Sequence, residues 1–466
     1  MEENYGKEKK KFQMPHAYVI IFLMTMLTAV LANIVPAGEF ERIVDAAGNT
    51  IVVPDSYHAV EKVGCSIFDM FKSIQLGFVD GAQIIFFIIF AYAFVYILIK
   101  NGTFDAVVGF ILRKIGDRIE LIIPVCMITF GLLGSTMGMF EETYGLIPVF
   151  ISIAAVLGYD AIVGGSIIYL GVAIGFAAAT INPFTVGIAQ EVAGVTMFSG
   201  LGYRIVCFAV FMGISIWYVW RYAHRVKKDP TKSVLYGAKV EMLEVGSKDE
   251  LMKSKFTWTH KISCLMFVFT IAMLLIGTIK FGWYIDEIAT LFIIMTVVTG
   301  FISRFTASQI AEFFIEASKE MMYGALLVGV SRSIPVIMDN AHIIDTIVYW
   351  LANLLSNFQG MLSAMGMLFV QNIINFFIPS GAGQALVTMP ILAPVGEMVG
   401  VSRQVSVLAF QFGDGFSNIF WPTSVFMMCG IMRLPIDRWY KFVTPLFGLL
   451  FIASMVLLGV AVVIGY

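Results

Sequence analysis

Two apolar stretches, near 161–197 and 403–432, are each long enough to cross a bilayer, and each is broken by proline and asparagine. The first carries Ile181-Asn182-Pro183-Phe184-Thr185, and the second carries FQFGDGFSNIFWPTS, from Phe410 to Ser424. Hydrocarbon offers no hydrogen bonds, so interrupted backbone survives there only inside protein or against a water-filled cavity. Proline removes a donor and frees a carbonyl of the preceding turn. The pattern therefore predicts an all-α polytopic membrane protein whose broken segments face inward. Asn182, Thr185, Asn418, Thr423 and Ser424 are the side chains best placed to join the freed backbone around a ligand. The alternative is that Asn and Ser simply cap that backbone.

Composition supports the membrane class. Of 466 residues, 59% are apolar and 13% charged, too few polar groups to cover a soluble protein of this size. A net charge of −2 suggests no nucleic-acid partner. The five cysteines are scattered, without metal-ligand spacing, and read as small buried hydrophobes. No phosphate-binding loop or hydrolase motif occurs, so the expectation is a carrier and not an enzyme, with no cofactor.

Full spans are predicted near 17–35, 82–99, 203–222, 260–279, 286–303, 320–338 and 441–465. Two further stretches, 119–157 and 359–399, have polar, glycine-rich centres and no charged loop, and read as re-entrant hairpins. The first span reads as uncleaved. Lys7, Lys9, Lys10 and Lys11 place the N-terminus inside, and an acidic 36–80 loop suits the outside. Within that loop, 43–53 resembles a β-hairpin around Gly48-Asn49. Arg113, Lys114 and Arg118 put 102–118 inside, together with the 223–259 linker. The segment 339–402 has no Lys or Arg and lies outside; Arg433, Arg438 and Lys441 return the chain to the cytoplasm, leaving the C-terminus outside. Asn101-Gly102-Thr103 is a glycosylation sequon by pattern only, on the predicted cytoplasmic side.

The halves correspond. Phe104-Asp105-Ala106-Val107-Val108 resembles Ile344-Asp345-Thr346-Ile347-Val348, Pro148 matches Pro390, Gly158 matches Gly400, and the two breaks correspond loosely. One copy begins inside and the other outside. Two inverted-topology repeats, each with a hairpin and a broken helix, are expected to meet at a midplane binding site.

The hairpin tips supply the remaining candidates. The first, Gly134 to Gly145, offers Ser135, Thr136, Glu141 and Glu142; the second, Pro379 to Thr388, offers Ser380 and Gln384. With Pro148 and Pro390 as register, Glu142 aligns with Gln384. A carboxylate at a span's centre costs about 2.5–3.5 kcal/mol, which makes Glu141, Glu142 and Asp414 candidates for function. Arg332, inside the 320–338 span, either pairs with one of them or clamps a substrate carboxylate. Three acids against one base leave a site that favours a cation. An amino acid with a cationic side chain fits best. Trp421 reads as bulk against lipid, with a gate as the alternative.

MPHAYVIIF, IVPAGEFER and FGDGFSNIFWPTS resemble the bacterial basic amino acid antiporter family, whose best-known members exchange arginine for ornithine. That family is related to the C4-dicarboxylate anaerobic carriers, within the ion transporter superfamily. The likeness runs over about residues 14 to 465. It implies an elevator-type exchanger in the bacterial cytoplasmic membrane, usually a homodimer. The implied scaffold covers 1–118, with the outer loop at 36–80, then 199–358, with the linker at 223–259, and 433–466; the transport domain covers 119–198 and 359–432. By position, the superfamily's tip and break residues fall on Ser135, Thr136, Asn182, Thr185, Ser380, Asn418 and Thr423. The tips depart from the Ser-Asn-Thr pattern of the sodium-coupled dicarboxylate branch, and coupling to Na+ or H+ is left open. A dicarboxylate carrier with Arg332 as its anion clamp is the alternative.

Overall fold

The computed structural model describes residues 15–44, 50–115, 120–238 and 256–466. Lys7, Lys9, Lys10, Lys11, Arg118 and the Gly48-Asn49 turn lie outside the described residues, as do the side chains of Arg113 and Lys114. Among the described residues, six helices are long and apolar enough to span: Ala17–Ile34, Ala82–Lys100, Leu201–Lys228, Ile285–Ile302, Ala307–Asn340 and Ile436–Val463. Trp258–Phe281 takes the place of the span expected at 260–279. The span expected at 320–338 is the inner part of a longer rod, Ala307–Ser331 continued by Ser333–Asn340, with Arg332 at the joint. Leu23, Leu27 and Val30 on the first span, and Ile293, Ile294 and Val297 on the fourth, are exposed. Apolar faces of this kind suit lipid contact.

The 36–80 segment is more ordered than a loop. Ile67–Asp80 is a helix, started by a reciprocal Ser66/Asp69 capping box. Those bonds from Ser66, side chain first, hold the Asp69 carboxyl below its ordinary range. The Ser66-x-x-Asp69 signature was present in the sequence and identifies this helix start. The expected ribbon is the antiparallel pairing of Arg42–Val44 with Thr50–Val52, and Gly38–Glu39 pairs with His58–Ala59. Asn101 is no surface sequon: its amide donates to Ser263 Oγ at 3.0 Å and Ser303 Oγ at 2.7 Å.

Shorter helices form the interior. The first hairpin is Ile122–Met137 and Ile147–Val156; the second is Met361–Phe377 and Gly381–Met398. The first broken helix is Ala161–Ala177, followed after a gap by the Pro183–Gly187 π-turn and Ile188–Val192. The second is Arg403–Ser417 and Pro422–Ile431. Small residues let these elements touch at the backbone, the usual device where lipid supplies no hydrophobic drive. A Cβ on Gly175 would overlap the Gly131 carbonyl of the first hairpin. One on Gly415 would overlap Ala177, where the two broken helices meet. A Cβ on Gly413 would lie 2.5 Å from Gln371 Cβ of the second hairpin.

The Gly415 contact fixes a sign. In an open helix, Gly→Ala gains about 1 kcal/mol from propensity. At Gly415 the clash is with backbone, so overpacking of about 1–3 kcal/mol should win. Thermal unfolding in detergent is expected to show Gly415→Ala less stable than the parent. Gly448→Ala, whose Cβ meets nothing within 4 Å, should be unchanged or more stable.

Candidate functional site

The first hairpin turns because Gly138 adopts φ 69°, a conformation costly for other residues, and returns its N–H to Gly134 O at 3.2 Å. The chain then makes a tight helical turn over Glu141–Leu146. This puts two adjacent carboxylates at the tip. Glu142 Oε2 accepts the Phe140 backbone N–H at 2.8 Å.

Ser135 fastens this hairpin to the first break. Its hydroxyl lies 3.0 Å from Thr180 Oγ1 and accepts the Thr180 N–H at 3.1 Å; its carbonyl takes the backbone N–H groups of Thr180 and Ile181. Ala178 O accepts the Ser135 hydroxyl at 3.3 Å, and Ala179 O accepts Arg204 Nη1 at 3.5 Å. Asn182 caps the following turn by accepting the Phe184 N–H at 2.9 Å.

The second break is satisfied differently. Its carbonyls at 418, 419 and 420 accept in turn from Tyr169 Oη at 2.7 Å, Trp439 Nε1 at 3.3 Å and Tyr440 Oη at 2.9 Å. Trp421 is more than bulk: its Nε1–H reaches Asn372 O of the second hairpin at 2.7 Å. The same hairpin gives Asn372 Nδ2 to Gly413 O at 3.3 Å and Asn375 Nδ2 to Asp414 Oδ1 at 2.6 Å. The expectation that freed carbonyls face a ligand is therefore corrected at residues 418 to 420. The protein supplies their donors, because an orphaned buried carbonyl costs about 1–3 kcal/mol.

A cavity of about 160 Å³ lies where these elements converge. Hairpin one lines it with Glu141 and Glu142, and the breaks with Thr185, Asn418, Thr423 and Ser424. Hairpin two adds Ser380 and Gly381. Thr185 Oγ1 and Thr423 Oγ1 are buried without a protein partner, an uncommon state for a buried hydroxyl. Arg332 is also on the wall, held by Asp80 Oδ2 at 3.3 Å rather than by any of the three expected acids. A second cavity of about 310 Å³ shares Arg332, Pro379 and Ser380 with the first and runs among Glu39, Asp80, Asp339 and Asp345.

Five expected site residues are not on the wall. Ser135 is consumed by Thr180 and the break. Thr136 bonds back to Leu132 O at 2.6 Å. Asn182 is fully buried as a cap. Gln384 does not take the place of Glu142 in a second tip: its amide donates to Gln371 O and Oε1, at 2.8 and 2.7 Å, within the second hairpin. Asp414 sits one layer back, behind Gly381, where an added Cβ would be 3.2 Å from Oδ2.

Sequence reading missed Asn375, Thr180 and the aromatic donors Tyr169, Trp439 and Tyr440. It also missed Tyr284 and Phe176 on the cavity wall. Asn375 had a signal: Gln371, Asn372 and Asn375 share one face of an otherwise apolar helix. The aromatics had none, since their role depends on which helix packs behind the break. The wall can be mapped chemically. In a cysteine-free background, Ser380→Cys should react with a small membrane-impermeant thiol reagent. Ser135→Cys, at a fully buried position, should resist it; equal labelling of both would refute this wall.

The sequence has recognisable relatives. The family described as C4-dicarboxylate anaerobic carrier (DcuC) matches residues 14–463. An Escherichia coli protein named "Putative basic amino acid antiporter YfcC" is 34% identical over 99% of both chains. A Haemophilus influenzae protein described as uncharacterized is 28% identical over 98% of both. Among solved structures, the Alcanivorax borkumensis YdaH transporter aligns over 97% of this chain and 99% of its own, at 14% identity and a TM-score of 0.45. By its family match and the identity of its relatives, the chain belongs to the C4-dicarboxylate anaerobic carrier family and is a multi-pass membrane transporter, not an enzyme.

Proposed function

We propose that this transporter exchanges basic amino acids, of the arginine/ornithine type, across the bacterial cytoplasmic membrane. The observation that carries the reading is the charge of the central cavity. Glu141 and Glu142 both line it, and the single guanidinium on its wall is engaged by Asp80. A cationic side chain is the natural complement. The free hydroxyls of Thr185 and Thr423, with Ser380, Asn418 and Ser424, offer hydrogen bonds to the amino acid head. Both exchanged molecules carry the same charge, so one-for-one exchange needs no ion gradient. Asp414, expected among the acids that hold the cation, is left out of this contact set because Gly381 stands in front of it.

The same reading takes the two hairpin-and-break units as inverted repeats. In its support, the helix Ile122–Met137 packs along the first broken helix and Met361–Phe377 along the second. The hairpins and broken helices (119–198 and 359–432) would travel as one transport domain against a dimeric scaffold (1–118, 199–358 and 433–466), in an elevator motion, with the N-terminus inside and the C-terminus outside.

A second reading, a C4-dicarboxylate carrier, draws on Arg332, which faces the same cavity and needs only to exchange Asp80 for a substrate carboxylate. Counterflow in proteoliposomes separates the two. Labelled arginine is expected to accumulate against internal ornithine, and labelled succinate is not; the reverse result rejects basic amino acid exchange. A charge-assisted hydrogen bond contributes about 1.5–3 kcal/mol. Glu142→Gln should therefore weaken arginine binding by about 10- to 100-fold while the protein remains in the membrane.

A further inference from the structure

We propose that Asp414 is a proton-binding site, worked by the tip of the second hairpin and separate from the substrate contacts. Its carboxyl is fully buried. Oδ1 accepts Asn375 Nδ2 at 2.6 Å, whereas Oδ2 has no partner. A carboxylate is acceptor-only and leaves that oxygen unsatisfied; a carboxylic acid brings its own hydrogen. Among the described residues, no cation is paired with it. The hairpin helix Met361–Phe377 and the Pro183–Gly187 turn carry no titratable residue. The other packed elements hold theirs elsewhere or show no bond to Asp414. Tyr169 is bonded to Asn418 O, and Arg204 to Ala179 O. Glu397 on the second hairpin pairs with Arg403 at the far end of the second broken helix. Glu191, on the short helix after the first break, makes no bond to Asp414. Asp437, Arg438 and Lys441 group together at the start of the last span, and Tyr440 is bonded to Phe420 O. An isolated buried charge of this kind costs far more than a neutral acid.

The access route is the glycine in front of it. A Cβ on Gly381 would lie 3.2 Å from Asp414 Oδ2 and 2.6 Å from Thr185 Cγ2. Gly381 is thus the thin partition between the carboxyl and the cavity it lines. Displacing the Ser380–Gly381 tip opens Oδ2 to cavity water. The step is a simple transfer: hydronium gives a proton to Oδ2, a water leaves, and the carboxyl becomes neutral. With the tip closed, the proton is occluded. Transport then carries a proton dependence set by Asp414, in addition to any set by Glu141 and Glu142.

Infrared difference spectroscopy on the purified protein tests this without knowing the substrate. A pH step under conditions that open the tip should give a protonated-carboxyl C=O band that shifts in D₂O. The band should disappear in Asp414→Asn, move in Asn375→Ala, which keeps the acid but removes its donor, and persist in Glu142→Gln. A band absent from the parent, or retained in folded Asp414→Asn, overturns the proposal. In proteoliposomes, counterflow measured across a pH series should keep its activity but lose part of its pH dependence in folded Asp414→Asn. A pH profile identical to the parent's would also overturn it. Failure of arginine counterflow would instead strike at the substrate reading and leave the infrared result standing.

Discussion

The structure depends on how it satisfies backbone at the two places where helices stop inside the membrane. Each break strips carbonyls and N–H groups of intrahelical partners, and lipid can supply none. The two breaks use different donors. At the first, one serine of the adjoining hairpin, Ser135, bonds Ala178, Thr180 and Ile181, while the buried Arg204 reaches Ala179. At the second, three aromatic side chains from two other helices take three consecutive carbonyls. With the backbone quenched, the polarity that remains for a ligand comes from side chains. That is why the cavity reads as carboxylates, hydroxyls and an amide.

Much of this was legible in the sequence. The spans, both hairpins and both breaks follow from apolar length punctuated by proline, asparagine and glycine, signals that act locally. Asn418, Thr185, Thr423, Ser380, Glu141 and Glu142, all on the cavity wall, could be singled out because each lies within a few residues of such a signal. What could not be read depends on tertiary packing. Gln384 aligned with Glu142 by register, yet its helix is turned so that the amide meets Gln371 inside the hairpin. Thr136 lies one residue from Ser135, about 100° further round the helix, and bonds only its own turn. Asp414 was rightly singled out as an expensive group. That Gly381 would stand between it and the cavity was beyond sequence reasoning.

Charge is kept in separate layers. Acids at the first tip face the cavity, Asp414 is set behind the second tip, and Arg332 is held by Asp80, which lines the second cavity. In a medium of low dielectric, neighbouring like charges would be punishing. Distributing them over layers keeps the two acids of the cavity wall apart from Asp414, which is shielded by a single glycine.

The meeting of Gly415 with Ala177 limits what can rearrange. With only the Ala177 methyl between them, the two main chains have no lubricating layer of long side chains, so sliding one broken helix along the other meets backbone. The junction behaves like a rivet. In the elevator motion proposed above, both interrupted helices would move together, and the sliding would fall on side-chain seams at the perimeter.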